Sequence, residues 1–575
     1  MTLLASACSS SSSNNDVPLP DAGTPDAGHP AASCATGCGN GLSCMKNSDF
    51  PNGACSAVCS GNSCPTGTVC SPVLSSAKQY CLQECAGTVC PDSLECTDTT
   101  VGDVCLPSAS TPPTALHCAA PQLLVGRVPG PATTDPGCRM PVVSSALSAG
   151  EVQSLGVHQV GETLSFDVPA GSIGFSIVSQ AVTAQPTYFF SASFPNLPVP
   201  SPLLTPNKVT FFDDLVMPAQ DLTTLLLVSG LPSQGGGAAY TFFSAALNFP
   251  NSSAGLALAL DGGLPSGTWS FGVNDYAAEC HATAGCDAGP VGSTYDMSVV
   301  VSPGPLPSPG SLALDVYLVT GLVDAGTAVT NPGIAHFASR FADFYAQAGI
   351  CVSSITFHDV PAWAHNKYDS LSVGYQDVAL NPCSDYHQLF TLAESNRSVP
   401  LFFVDDLVNG NAPAGDFIIG QDGAIPAPPT FNGTVAGGAV VLAVDLASTS
   451  GCGTRFNPRN CGPDLVAAIS AHETGHFLGL LHTTEDTGDF FDPLIDTPAC
   501  VCTLCALEPG AAAACTNNPD GGVPTVVDNT VCSGLSQDCG GANFLMFWLL
   551  SANTTGAFSA EESAVMRSNP LISAP

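Results

Sequence analysis

The chain has 575 residues, with 11 Lys and Arg against 47 Asp and Glu, and a net charge of −36 at pH 7. So long a chain predicts several domains rather than one core. So few basic residues exclude a phosphate-tracking surface, and with it a nucleic-acid partner. Hydrophobic residues make up 45% of the sequence, ample for folded cores. No apolar run approaches the roughly eighteen residues that a membrane-spanning helix requires. The 27 cysteines predict an oxidising compartment. Apart from Cys8 they fall into even blocks: twelve from Cys34 to Cys105, then Cys118 with Cys138, Cys280 with Cys286, and ten from Cys351 to Cys539. Even blocks are what disulfides closed within domains require.

The chain begins with Leu3-Leu4-Ala5-Ser6-Ala7-Cys8 after two residues. This resembles the last part of a bacterial lipoprotein signal, in which small residues precede a cysteine that is lipidated after cleavage. The resemblance implies an extracytoplasmic protein, on the bacterial surface or secreted, that meets a membrane only through a lipid on Cys8. Residues 9–33, rich in Ser, Pro, Asp and Gly, predict a flexible linker. Cysteine spacing then repeats with a period of 25 or 26 residues: Cys34, Cys38, Cys44 and Cys55; Cys59, Cys64, Cys70 and Cys81; Cys85, Cys90, Cys96 and Cys105. Each unit is too short for a hydrophobic core and is expected to rest on about two disulfides.

Residues 106–140 read as a connector closed by a Cys118–Cys138 disulfide. Residues 141–302 read as an all-β sandwich or jelly roll. Leu256, Leu258 and Leu260 alternate, as do Trp269, Phe271 and Val273, and again Tyr295, Met297, Val299 and Val301, with Gly and Pro between. Residues 303–310 are a Pro-rich linker, and an α+β domain is expected over 311–575. Its elements are a strand at 312–318, a helix at 334–348 carrying Phe337, Phe341 and Tyr345 at four-residue spacing, and strands at 352–357, 400–404, 417–419 and 438–444. Pro463 suits the first turn of the next helix, on which Leu465, Ile469, His472 and His476 share a face. A closing helix is expected over 559–568. The six cysteines from Cys500 to Cys539 are read as three disulfides.

The informative stretch is His472-Glu473-Thr474-Gly475-His476-Phe477-Leu478-Gly479-Leu480-Leu481-His482. Residues four apart lie on one helix face, so His472 and His476 can direct both imidazoles at one ion. Gly479 allows a sharp exit from the helix because it has no Cβ to forbid φ > 0. The chain can then return His482 as a third nitrogen. Glu473 is placed to reach a water without being a ligand. Three nitrogens with one open position is the arrangement of a catalytic zinc, whereas structural sites are closed by four ligands. With histidine at 11 of 575 residues, the five specified positions arise by chance in roughly one chain in a hundred thousand.

At these residues the sequence resembles the metzincin zinc endopeptidases, and within them the pappalysin (cytophagalysin) group. The clan's methionine turn finds its match at Asn543-Phe544-Leu545-Met546-Phe547-Trp548. Gly488-Asp489-Phe490 and Asp496-Thr497-Pro498 are similar to a segment of that group. The resemblance covers about residues 311–575. It implies a bound Zn2+, a peptide or protein substrate lying along one sheet edge, for which 417–419 is the candidate, and Glu473 as general base. It also suggests Ca2+ at Asp489, Asp492 and Asp496. One departure is Trp548, where the group usually has Tyr; an indole N–H donates but cannot ligate a metal. The competing expectation is a catalytically silent surface adhesion or binding lipoprotein that keeps the protease fold as a scaffold.

Overall fold

A computed structural model describes short stretches of residues 43–107, most of 118–182, residues 190–191, parts of 244–275, nearly all of 294–484, single positions within 492–497, and residues 544–548 and 556–575. Cys8, Cys280, Cys286, Asp489 and the cysteines from Cys500 to Cys539 lie outside the described residues. The chain is a mixed α/β protein of several sheets with few helices, cross-linked by disulfides. It divides into two compact units, Met1–Ser110 and Thr111–Pro575.

In the first unit the cysteine spacing is matched by a recurring backbone pattern. Three antiparallel pairs, Ser43–Met45 with Ala54–Ser56, Thr68–Pro72 with Gln79–Gln83, and Leu94–Thr99 with Gly102–Pro107, place Cys44 opposite Cys55, Cys70 opposite Cys81 and Cys96 opposite Cys105. The third and fourth cysteines of every repeat thus occupy the same cross-strand position. A disulfide joins the second cysteine of the middle repeat, Cys64, to its fourth, Cys81.

The second unit is built on a six-stranded sheet. Its strands are β1 (Gln122–Val125), β8 (Gly310–Leu318), β9 (Ile350–Asp359), β10 (Val399–Val404), β11 (Gly420–Asp422) and β12 (Ala439–Leu442), in the order β11-β12-β10-β8-β9-β1. All neighbours are parallel except the edge pair β11–β12. Parallel strands must be covered on both faces, and the sequence supplies both. Leu312, Leu314, Val316 and Leu318 of β8 face one core with Val399, Leu401 and Phe403 of β10. Tyr317, Val319, Phe402 and Val404 face the other, together with Leu389 and Phe390 of helix α3 (Asp385–Phe390). Helix α2 (Pro332–Gln347) lies on the first face, with Phe337, Phe341 and Tyr345 buried. Each such side chain contributes about 1.5–3 kcal/mol by leaving water. Helix α4 (Gly462–Phe477) lies on the same face, and α5 (Ala560–Ser568) closes the chain with a capping box between Ser559 and Glu562.

The β region forms a four-stranded antiparallel sheet, β5-β4-β7-β2, from β2 (Val152–Gln159), β4 (Ser172–Ala181), β5 (Ser244–Phe249) and β7 (Thr294–Pro303). It faces the pair β3 (Thr163–Val168) and β6 (Gly267–Gly272). Phe175, Ile177, Leu247, Phe249, Tyr295, Met297 and Val299 pack with Phe166 and Trp269 between them. The intervening residues of the same strands point the other way. Val178, Ala246 and Val300 pack on Phe431, and Ser302 Oγ donates to the Ser568 carbonyl at 2.7 Å. The sheet is therefore covered on both faces, its second face by the α/β half of the same unit.

Three local expectations are corrected. Leu256, Leu258 and Leu260 lie in a helix, α1 (Ser253–Leu260); the run is Ala, Gly and Leu without β-branching, and Ala and Leu favour helix. The sheet edge is Gly420–Asp422 rather than 417–419: Ile419 precedes the strand, its carbonyl accepting from Leu442 N at 2.9 Å, and Phe417 lies outside the described residues. Cys118 does not pair with Cys138. Cys118 bonds Cys351 and Cys138 bonds Cys383, across separations of 233 and 245 residues. The segment read as a connector supplies β1 to the sheet edge beside β9, and parity alone could not see cysteines paired between blocks.

Mapping of non-reduced peptides is expected to join Cys118 to Cys351 and Cys138 to Cys383; a Cys118–Cys138 peptide would contradict the structure. Replacing Cys138 and Cys383 together by Ala should lower the unfolding free energy by about 2–4 kcal/mol in a urea titration, since the loop closed is long.

Candidate metal centre

Helix α4 carries the first two histidines, and every part of it is anchored. At its start the buried Asp464 carboxylate accepts from His336 Nε2 at 2.7 Å, Arg340 Nε at 3.1 Å and Asn457 N at 2.7 Å. A negative charge there also suits the helix dipole. Midway, Tyr345 of α2 donates its hydroxyl to the Ala471 carbonyl at 3.0 Å. At the end, the Leu478 carbonyl accepts from Asn248 Nδ2 at 3.2 Å and Asn569 Nδ2 at 3.0 Å. Expected as a stripe, the burial of α4 is complete except at Leu465, which is half-buried. The sheet and α2 cover one side, and the β sandwich and the Met546 turn cover the others.

The three histidines converge. Their Nε2 atoms form a nearly equilateral triangle: His472 to His476 3.1 Å, His472 to His482 3.1 Å, His476 to His482 3.0 Å. A tetrahedral zinc at ordinary Zn–N lengths asks for N···N separations of about 3.3 Å, so the trio is at the right scale. The outer nitrogens settle the tautomers. His472 Nδ1 lies 2.7 Å from the Leu545 carbonyl, and His476 Nδ1 lies 2.8 Å from the Leu480 carbonyl. A carbonyl only accepts, so both Nδ1 atoms carry the proton and both Nε2 lone pairs point inward. Two bare lone pairs 3.1 Å apart do not bond each other; they repel unless a cation lies between them. Burial, reinforced by the charge of neighbouring His482, pushes the His472 pKa down to about 3. Burial and both neighbouring histidines push that of His476 well below the usual value. Both rings are thus held in the neutral form that ligates metal.

Glu473 is 5% exposed, and burial pushes its pKa up to about 8. A dication at the adjacent nitrogens is the opposite charge that returns such a group to its carboxylate. Edge strand β11 runs against it. A Cβ on Gly420 would come 2.3 Å from Glu473 Oε1, so only glycine lets the strand approach so closely.

The turn at Leu545 and Met546 ties the three histidines together. Leu545 supplies the carbonyl that orients His472, the Met546 carbonyl accepts from Thr483 N at 2.9 Å, and the Met546 side chain lies under Gly475. A Cβ on Gly475 would meet Met546 Sδ at 2.5 Å. Gly479 has φ of 110°, in the region that favours glycine, and the chain beyond it brings His482 back to the trio. Trp548 is half-buried, its ring 6.3 Å from that of Phe547.

The structure thus brings together His472, Glu473, His476, Gly479, His482 and Met546. Sequence reasoning missed the carbonyls of Leu480 and Leu545, which have no sequence signal, and Asn248, Asn569 and Gly420, which come from distant segments. Gly475 could have been found as a glycine at a free position of the motif. The expected calcium ligands have other partners: Asp492 accepts from the Thr497 hydroxyl at 2.6 Å, and Asp496 from Ser559 Oγ at 2.9 Å and Glu561 N at 2.8 Å. Among the described residues one other group could hold a metal, His336 with Cys452 and Cys461, but its two sulfurs form a disulfide. Imidazole donors suit several transition ions, so the trio is a candidate metal-binding group that does not name its metal. No family model matches the chain, and no curated protein matches it.

Changing Gly475 to Val should displace Met546 and loosen the trio. The expected result is at least a tenfold loss of metal affinity by chelator competition, the scale seen when groups supporting metal ligands are disturbed. Unchanged affinity would mean that Met546 does not support the ligands.

Proposed function

We propose that the α/β half of the second unit is a zinc-dependent endopeptidase of metzincin type, closest in its motifs to the pappalysin group. The observation that carries the reading is the convergence of three inward-facing Nε2 atoms beside a buried glutamate, at the edge of a sheet. His472, His476 and His482 would hold the ion and leave a position open. The ion, when bound, supplies Lewis acidity toward a water and a peptide carbonyl. Glu473 takes the proton of the attacking water on its carboxylate and delivers it to the leaving amine, so no covalent enzyme intermediate is needed. Strand β11 is paired on one side only among the described residues, and an extended peptide adding to its free side would be held through main-chain bonds. Gly420 then brings that peptide's neighbour strand directly onto Glu473.

The disulfides point to an oxidising, extracytoplasmic environment, and no described helix is long and apolar enough to cross a membrane. We further propose that the protein is a surface-anchored or secreted lipoprotein, with Cys8 as the lipidated residue. Trp548 sustains the second reading, a silent binding protein on the protease fold, because a phenol able to reach the reaction centre is missing there.

Digestion of a peptide library by the full chain separates the two readings. Cleavage should be abolished by a chelator and restored by zinc. Glu473→Gln should retain bound zinc but lose at least about a hundredfold in kcat, the usual contribution of a general base. Zinc bound by the wild type with no cleavage of any peptide would favour the silent scaffold.

A further inference from the structure

The β sandwich reaches the metal centre through one side chain. Asn248, on β5, is 4% exposed and donates Nδ2 to the Leu478 carbonyl at 3.2 Å. Its Oδ1 accepts from the hydroxyl of Ser176 on neighbouring β4, which fixes the amide's orientation. Leu478 caps α4, and the next residue is Gly479, whose φ of 110° carries the chain toward His482. The amide also fills the space beside that glycine: a Cβ on Gly479 would come 2.8 Å from Asn248 Nδ2. One residue further, the Leu480 carbonyl orients His476. The turn between the second and third ligands is therefore gripped from outside the α/β half, by a residue 230 positions earlier.

We infer that Asn248 is a positioning residue of the metal centre, through which the β sandwich sets the turn that delivers His482. The sandwich is then part of the metal-binding machinery rather than an appended module. This rests on the metal-centre reading above, and not on peptidase activity. Two physical points support it. A buried backbone carbonyl at a helix end must find donors, and Leu478 finds them only in Asn248 and Asn569 among the bonds described at that atom. Groups hydrogen-bonded to metal ligands govern affinity by about tenfold or more, and Asn248 holds the turn that carries both the Leu480 carbonyl bonded to His476 and the chain to His482.

The test uses the full chain and reads zinc affinity by competition with a chromophoric chelator, together with the visible spectrum of the cobalt(II) form. Asn248→Ala should weaken zinc about tenfold and alter the cobalt bands. Ser302→Ala is the control: it removes another hydrogen bond between the sandwich and the α/β half, to Ser568, without touching the turn. It should leave both readouts at the wild-type values. If Asn248→Ala is insoluble, Asn248→Asp is measured instead; it keeps an acceptor for Ser176 but presents oxygen in place of the donor to Leu478. Wild-type affinity in the Asn248 variant, or an equal loss in both variants, would overturn the inference while leaving the metal centre intact. A wild-type chain that binds no zinc would overturn both.

Discussion

Three imidazole nitrogens 3.0–3.1 Å apart, two of them shown by their outer hydrogen bonds to face inward without a proton, form an arrangement suited to a cation held between them. The surrounding structure fixes it in place. Asp464 and Arg340 anchor the start of α4, Tyr345 its middle, and two asparagines its end.

Burial serves the same end by a second route. A helix buried at every residue but Leu465 leaves little solvent to hydrate a protonated imidazole or an ionised glutamate. Burial favours the neutral forms of His472, His476 and Glu473 alike. One environment therefore acts on all three side chains in the same direction. Glycines make the enclosure possible. At Gly420 and Gly475 any side chain would occupy the space of Glu473 or Met546.

The long-range disulfides and the sandwich have a common role. Both bring segments far upstream into the α/β half: Cys118 and Cys138 pin β1 to its sheet edge, and Asn248 grips the ligand-bearing turn. The division of the chain near residue 110 agrees with this, since the described elements after it pack into connected cores. The Cys-rich repeats before it make their own antiparallel pairs.

By itself the sequence determined the local features. The histidine spacing placed His472 and His476 on one helix face, the glycine marked the turn, two-residue alternation located β7, and apolar runs located β8 and β10. Cysteine spacing marked the repeats. These are readable because their physics acts within a few residues. Tertiary structure alone decided which cysteines meet, that the Leu256–Leu260 run is helical, that Gly420–Asp422 is the edge, and that an asparagine of the β region caps the helix of His472 and His476. Parity cannot tell within-block from between-block pairing, short apolar runs suit helix or strand, and a buried carbonyl takes whichever donor the folded chain carries to it.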